Sequence, residues 1–333
     1  MIMTHEEIFK KGENKLIEDY LKLENPKTYD FRNDFKKPNS HNFLNQYINM
    51  DTLEKQIYYG AILKCGSIPK GEFKKRVSLL IDPDSNSLLL QKIYKSLWFE
   101  YLEPCRANRT IKGDTINSFY TTFNRISDSD ARRMDIIYHY IETKENGYKI
   151  YAKKYKHLEK FLSISHTLGN FIPCPYTPKY SCNQKRANSV GDYWDLTLFC
   201  IYKYYQGNKK YLATLMGYPE NNTYKKYKDW LDLFKNDKGI ISWNVFVEKN
   251  YMESFVNKEN EGNWGKPKEL WKGHFKAFQI FKDNNVKINE NKWPNKSQAN
   301  EFFKNATKFI EIRSVNMLKV LNKKYTKVSA LGD

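Results

Sequence analysis

Between His166 and Tyr205 the chain gathers more groups able to do chemistry than in any other stretch. His166-Thr-Leu-Gly-Asn170 comes first, then Asn183-Gln-Lys185-Arg186, then Asp192-Tyr-Trp-Asp195 ahead of an aromatic run ending at Tyr205. These residue types suit phosphate chemistry. A histidine can give or take a proton near neutral pH, asparagine side chains can orient a substrate or a metal, and Lys185 and Arg186 can hold phosphate. On that reading His166, Asn170 and Asn183 are the candidate catalytic residues, with His166 as acid or base. Asp192 and Asp195 stand at the start of an expected helix. Their expected role is structural, because an acid there caps exposed N–H groups and suits the helix dipole. Arg186 can tie such a cap to the preceding loop.

Basic and aromatic residues interleave in three further runs: Tyr202-Lys203-Tyr-Tyr205, Lys209-Lys210-Tyr211 and Tyr224-Lys225-Lys226-Tyr-Lys-Asp-Trp230. Aromatic faces that stack on unpaired bases, beside lysines that neutralise phosphate, would suit RNA or single-stranded DNA. Amphipathic helices with aromatics inward and lysines outward would give the same pattern. The charge distribution favours a polyanion. Net charge is +18; residues 1–100 hold 16 basic and 14 acidic side chains, and residues 101–333 hold 40 and 24. An excess confined to one portion presents a field there. Arg133 and His139 fit the loose Arg-x4-6-His spacing of helical RNases, a pattern that a solvated helix face also produces. Cys174 and Cys182 are too widely spaced for a zinc knuckle. No metal site is expected, and no motif points to a cofactor, which stays unknown.

The central residues carry a resemblance. Gly169, Pro173, Asn183-Gln-Lys-Arg186, Asp192-Tyr-Trp-Asp195-Leu-Thr-Leu198 and Tyr204-Tyr-Gln-Gly207 resemble a family of uncharacterised bacterial proteins, a domain of unknown function. Weaker likeness reaches Leu89–Trp98, Asp229–Phe234 and the final helix. The sequence departs from that pattern in having Lys185 before Arg186 and Ala187 in place of Gly. His166-x-x-Gly-Asn170 with Asn183 and Lys185 also resembles the end of the nuclease motif of some modification-dependent restriction enzymes. The upstream Asp-His-Ile-Pro element of that motif is missing, with Lys156-His157-Leu158 in its place.

The elements that must position these groups read as helices. Apolar spacing predicts helices over 4–23, 51–64, 71–80, 88–101, 114–125, 128–143, 154–162, 192–206, 208–216, 223–236, 268–282 and 297–324. Residues 24–50, 104–113, 257–268 and 283–297 read as loops, and so does the Asn183–Arg186 element. The fold class is mainly α, a multi-helix globular protein with at most a small β element around 148–175. The change in charge balance suggests a helical region over 1–100 and a basic helical region over 101–333, which can equally form one continuous domain. No apolar run approaches the length of a membrane span. The N-terminus lacks a signal-peptide layout, and five cysteines without a CxxC pair read as reduced thiols, so the expected location is cytoplasmic. Two functions follow: a nucleic-acid-binding protein, at its sharpest an effector nuclease of a phage-defence or mobile-element system, or a non-enzymatic protein-interaction module whose central motif is structural.

Overall fold

The computed structural model describes residues 14–31, 83–108, 110–117, 155–178, 182–191, 193–280, 286–288 and 294–329. Of these, 61% are helical and 12% are in strands, so the protein is mainly α and its two-stranded sheets are minor. The helices expected at 51–64, 71–80 and 128–143 lie outside the described residues, as do Arg133 and His139. No helix among the described residues is long and apolar enough to cross a membrane.

Residues 14–21 are helical. Helices α1 (Pro83–Asn86) and α2 (Leu88–Trp98) meet at Ser87, whose Oγ caps α2 by accepting the Leu90 N–H at 3.0 Å. The segment expected as a loop at 104–113 contains a hairpin of β1 (Arg106–Ala107) and β2 (Thr110–Ile111), turned by Asn108 at φ 54°. Asparagine tolerates that left-handed backbone better than most residues. Strand β3 (Gly113–Thr115) replaces the start of the helix expected at 114–125. It pairs antiparallel with β4 (Phe171–Pro173), Asp114 lying opposite Ile172.

Helices α3 (Leu158–Ile164), α4 (Cys182–Val190), α5 (Trp194–Tyr205), α6 (Lys209–Met216), α7 (Asn222–Leu231) and α8 (Trp243–Lys249) follow. The hairpin β5 (Val256–Asn260) and β6 (Asn263–Pro267) occupies what reads as a solvent loop. Among the described residues 268–280 the α-helix expected over 268–282 does not form. Gly273 takes a left-handed φ of 83°, and after a short 3-10 turn the chain enters β7 (Phe278–Ile280), paired with β8 (Val286–Ile288). Left-handed backbone interrupts an α-helix, which explains the difference. Helix α9 (Lys296–Ser329) ends the described chain.

One apolar cluster extends from Ile17 to Leu321. Helix α5 runs through it, with every residue from Trp194 to Ile201 buried, as expected for a helix apolar on all sides. Helix α9 buries Phe302, Phe303, Ala306, Ile310, Met317 and Leu321, a stripe at helical spacing. It lies so close to the 168–170 turn that a Cβ on Gly169 would sit 2.1 Å from the Ile310 carbonyl oxygen. Only glycine permits that approach.

Candidate functional site

The groups gathered around the start of α5 are held by three buried polar networks. The first centres on Arg186. Helix α4 buries Cys182, Arg186 and Val190, positions four residues apart, so helical spacing carries the guanidinium inward with its apolar neighbours. There Nε and Nη2 donate to Asp114 Oδ2 of β3 at 3.0 and 2.9 Å. Nη1 donates at 3.3 Å to both the Gly191 carbonyl and Thr197 Oγ1, and the guanidinium lies 5.4 Å from the Trp194 ring. Arg186 thereby ties β3, α4, the turn at Gly191 (φ 70°) and α5 together. Asp192, the other acid expected here, lies outside the described residues.

The second network centres on Asp195. The residue before α5 is Tyr193, which makes no side-chain cap. Asp195 Oδ1 accepts its neighbour's Leu196 N–H at 2.9 Å, while Oδ2 accepts the Leu270 N–H at 2.8 Å and lies 2.6 Å from His274 Nδ1. An ionised carboxylate only accepts, so a hydrogen bond from the imidazole to ionised Asp195 requires the proton on His274 Nδ1. The imidazole is packed against Trp271, 3.3 Å between ring centroids, and edge-on to Tyr193 at 5.1 Å. Asp195 thus docks the 270–274 turn onto α5 as well as accepting a backbone N–H in the first turn of the helix.

The third network includes Asn170, which is fully buried. Its Nδ2 donates to the carbonyls of Asn117 at 3.0 Å and Ser165 at 2.6 Å, and its Oδ1 accepts the Asn117 N–H at 3.0 Å. Asn117 Oδ1 in turn accepts the Trp194 N–H at 3.1 Å. A cap on α5 therefore comes from a residue 77 positions earlier. His166 is half-buried, with Nδ1 3.0 Å from Ser165 Oγ, its ring 6.2 Å from that of Phe171, and its carbonyl accepting the Phe31 N–H. Asn183 is half-buried on α4. Asn170 therefore joins the fold's hydrogen bonding, and the catalytic set proposed from sequence would have to work with its carboxamide already engaged.

Arg313 of α9 completes the region and went unnoticed in the sequence. Its Nη1 donates to the carbonyls of Gly169 and Phe171 at 2.7 and 2.8 Å, and its Nε to that of Asn250 at 3.0 Å. Burial lowers its pKa to about 9, partly opposed by Glu253, Tyr94 and Tyr251. The signal that could have found it is a lone arginine at a buried position of an apolar stripe.

The expected phosphate-binding residues divide. Lys209, Lys210 and Lys225 are exposed; Lys185, Lys203 and Lys226 are half-buried. Lys203 donates to Gln206 at 3.1 Å, and the end of Lys185 lies beside Gly217, where α6 stops. Tyr224 departs from the expectation of a stacking surface: its ring is buried, as are those of Tyr204, Tyr211, Tyr227 and Trp230. The aromatic positions fall on the inner face of α5, α6 and α7 and the lysines on the outer face, as amphipathic helices dictate. Cys105, Cys174, Cys182 and Cys200 are free and buried, and burial raises each thiol above its ordinary value. Among the described residues no three His, Cys, Asp or Glu side chains are grouped to hold a metal ion.

No curated protein and no solved structure matches this chain. The resemblance carried by the residues around α5 has a counterpart in a match over residues 70–317, and the chain belongs to that family, the family of unknown function DUF6994.

Proposed function

We propose that this protein binds nucleic acid through the phosphate backbone, in the cytoplasm, and that its central motif is the keystone of the fold. The observation that carries this reading is the outward placement of Lys209, Lys210 and Lys225 on α6 and α7 while the neighbouring aromatics turn inward. Lysines without stacking platforms favour contact with phosphates over contact with unpaired bases. Arg186 has its own buried carboxylate, so its charge is already matched inside the fold, whereas these lysines stand at the surface. Exposed Ile312, Val315 and Val320 on α9 support the alternative, a surface for a protein partner.

The test is binding of labelled duplex and single-stranded oligonucleotides at rising salt. Affinity is expected to fall steeply between ~50 and ~200 mM salt, because displaced counterions drive such binding. Changing Lys209, Lys210 and Lys225 to Glu together should weaken it for every sequence alike. Absence of binding at low salt would overturn the proposal.

A further inference from the structure

The seam between α3 and α9 carries another concentration of positive charge. The two helices meet through Phe161, whose ring lies 5.4 Å from Phe302 and 5.3 Å from Phe303. On the outer side Lys304 and Lys308 are exposed four residues apart on α9, about 6 Å along the axis. Lys156, just ahead of α3, and Lys160 within it repeat that spacing and are also exposed. Lys160 reaches Glu311 of α9 at 2.8 Å, which sets the two outer faces side by side. Lys268 joins them, donating to the Ser254 carbonyl at 3.1 Å with its ammonium 5.5 Å from the Phe309 ring.

These cations crowd one another. Burial first, then the ammonium groups of Lys156 and Lys304, hold His157 below its ordinary pKa. Burial and then Lys308 do the same to Lys268. Glu311 is engaged by Lys160, and Glu301 accepts the Lys272 N–H at 3.2 Å. Lys156, Lys304 and Lys308 make no ion pair among the described residues. Like charges held together on rigid elements are unfavourable by themselves and are relieved by an anion with several charges at matching spacing.

We infer that the α3–α9 seam docks the phosphate backbone of a nucleic-acid duplex, adding a surface to the one on α6 and α7. The inference rests on the nucleic-acid reading above and extends it to a new face. A duplex fits better than a single strand. Phe161, Phe302, Phe303 and Phe309 all face inward, so the seam offers charge in two rows and no ring for a base.

The experiment uses the full chain and short DNA and RNA duplexes, with anionic lipid vesicles as a separate arm. One variant changes Lys156, Lys304 and Lys308 to Gln; the other changes Lys209, Lys210 and Lys225 to Gln. All six side chains are exposed, and unchanged thermal unfolding checks that both variants fold. The seam variant is expected to weaken duplex binding, with the salt slope falling by about one per lysine removed. In the wild type, adding duplex should raise the His157 pKa, read from its imidazole NMR signal, because phosphate favours the protonated ring. Full retention of affinity by the seam variant, with loss in the α6–α7 variant, would overturn the inference and leave the nucleic-acid reading standing. A wild type that binds vesicles but no duplex would overturn both.

Discussion

A single oxygen of Asp114, Oδ2, receives both Nε and Nη2 of Arg186, at 3.0 and 2.9 Å. Both side chains are almost wholly enclosed, at 1% and 4% exposure, so neither charge has water to fall back on. Removing one partner should cost about 3–5 kcal/mol, since the other is left buried and uncompensated. Urea unfolding of Arg186→Met, Asp114→Leu and the double variant tests this. The double variant is expected to be more stable than the sum of the two losses; strict additivity would contradict the pairing.

Asp195 and His274 should behave as a coupled pair in stability. Asp195→Ala strands the Leu270 N–H and the His274 Nδ1–H together, an expected loss of about 1–3 kcal/mol. His274→Ala should lose less in an Asp195→Ala background than in the wild type, by at least ~0.5 kcal/mol in a double-mutant cycle. A coupling of zero would mean that the docked 270–274 turn is held by its aromatic packing alone.

Gly169→Ala places a methyl group 2.1 Å from the Ile310 carbonyl oxygen and 2.8 Å from the Ser314 nitrogen, both backbone atoms of α9. The helix must move, at an expected cost of ~1–3 kcal/mol. Hydrogen exchange should show lost protection in the middle of α9. Unchanged protection with unchanged unfolding would refute the close approach.

Alkaline pH should weaken the fold. Burial raises Tyr205 and Tyr227 well above their ordinary 10.0 and Cys105, Cys174 and Cys200 above 9.0. The folded protein therefore keeps protons that the unfolded chain releases, and stability present below pH 9 falls as pH rises beyond it. Arg313, lowered to about 9, works in the opposite sense, since its buried charge is relieved above that pH. The five acids outnumber it. The urea midpoint should be lower at pH 10 than at pH 8, and a higher midpoint would show that Arg313 dominates.

Legibility followed the range of each signal. The buried character of α5 and the apolar stripe of α9 repeat locally, and both were readable. The expectation for Asp195 rests on a local signal, because acids at helix starts have a local reason to be there. Its partner His274 could not be found, being 79 residues away, and Asp114 is 72 residues from Arg186. Nothing in the spacing of single polar residues announces such pairs. The 268–282 helix failed as an expectation because its apolar spacing was genuine while Gly273 supplied a backbone conformation that no helix contains. Strands of two or three residues, such as β1 to β4, are too short for alternation to show.

Arg313 sets a timetable for the ribosome. The carbonyls of Gly169, Phe171 and Asn250 emerge during synthesis long before the guanidinium that binds them, 144 residues behind in the first case. Until Arg313 arrives, those oxygens lack this donor and need another, water included. These three hydrogen bonds therefore form only after α9 has been made, so they are expected to be a late step of folding during synthesis.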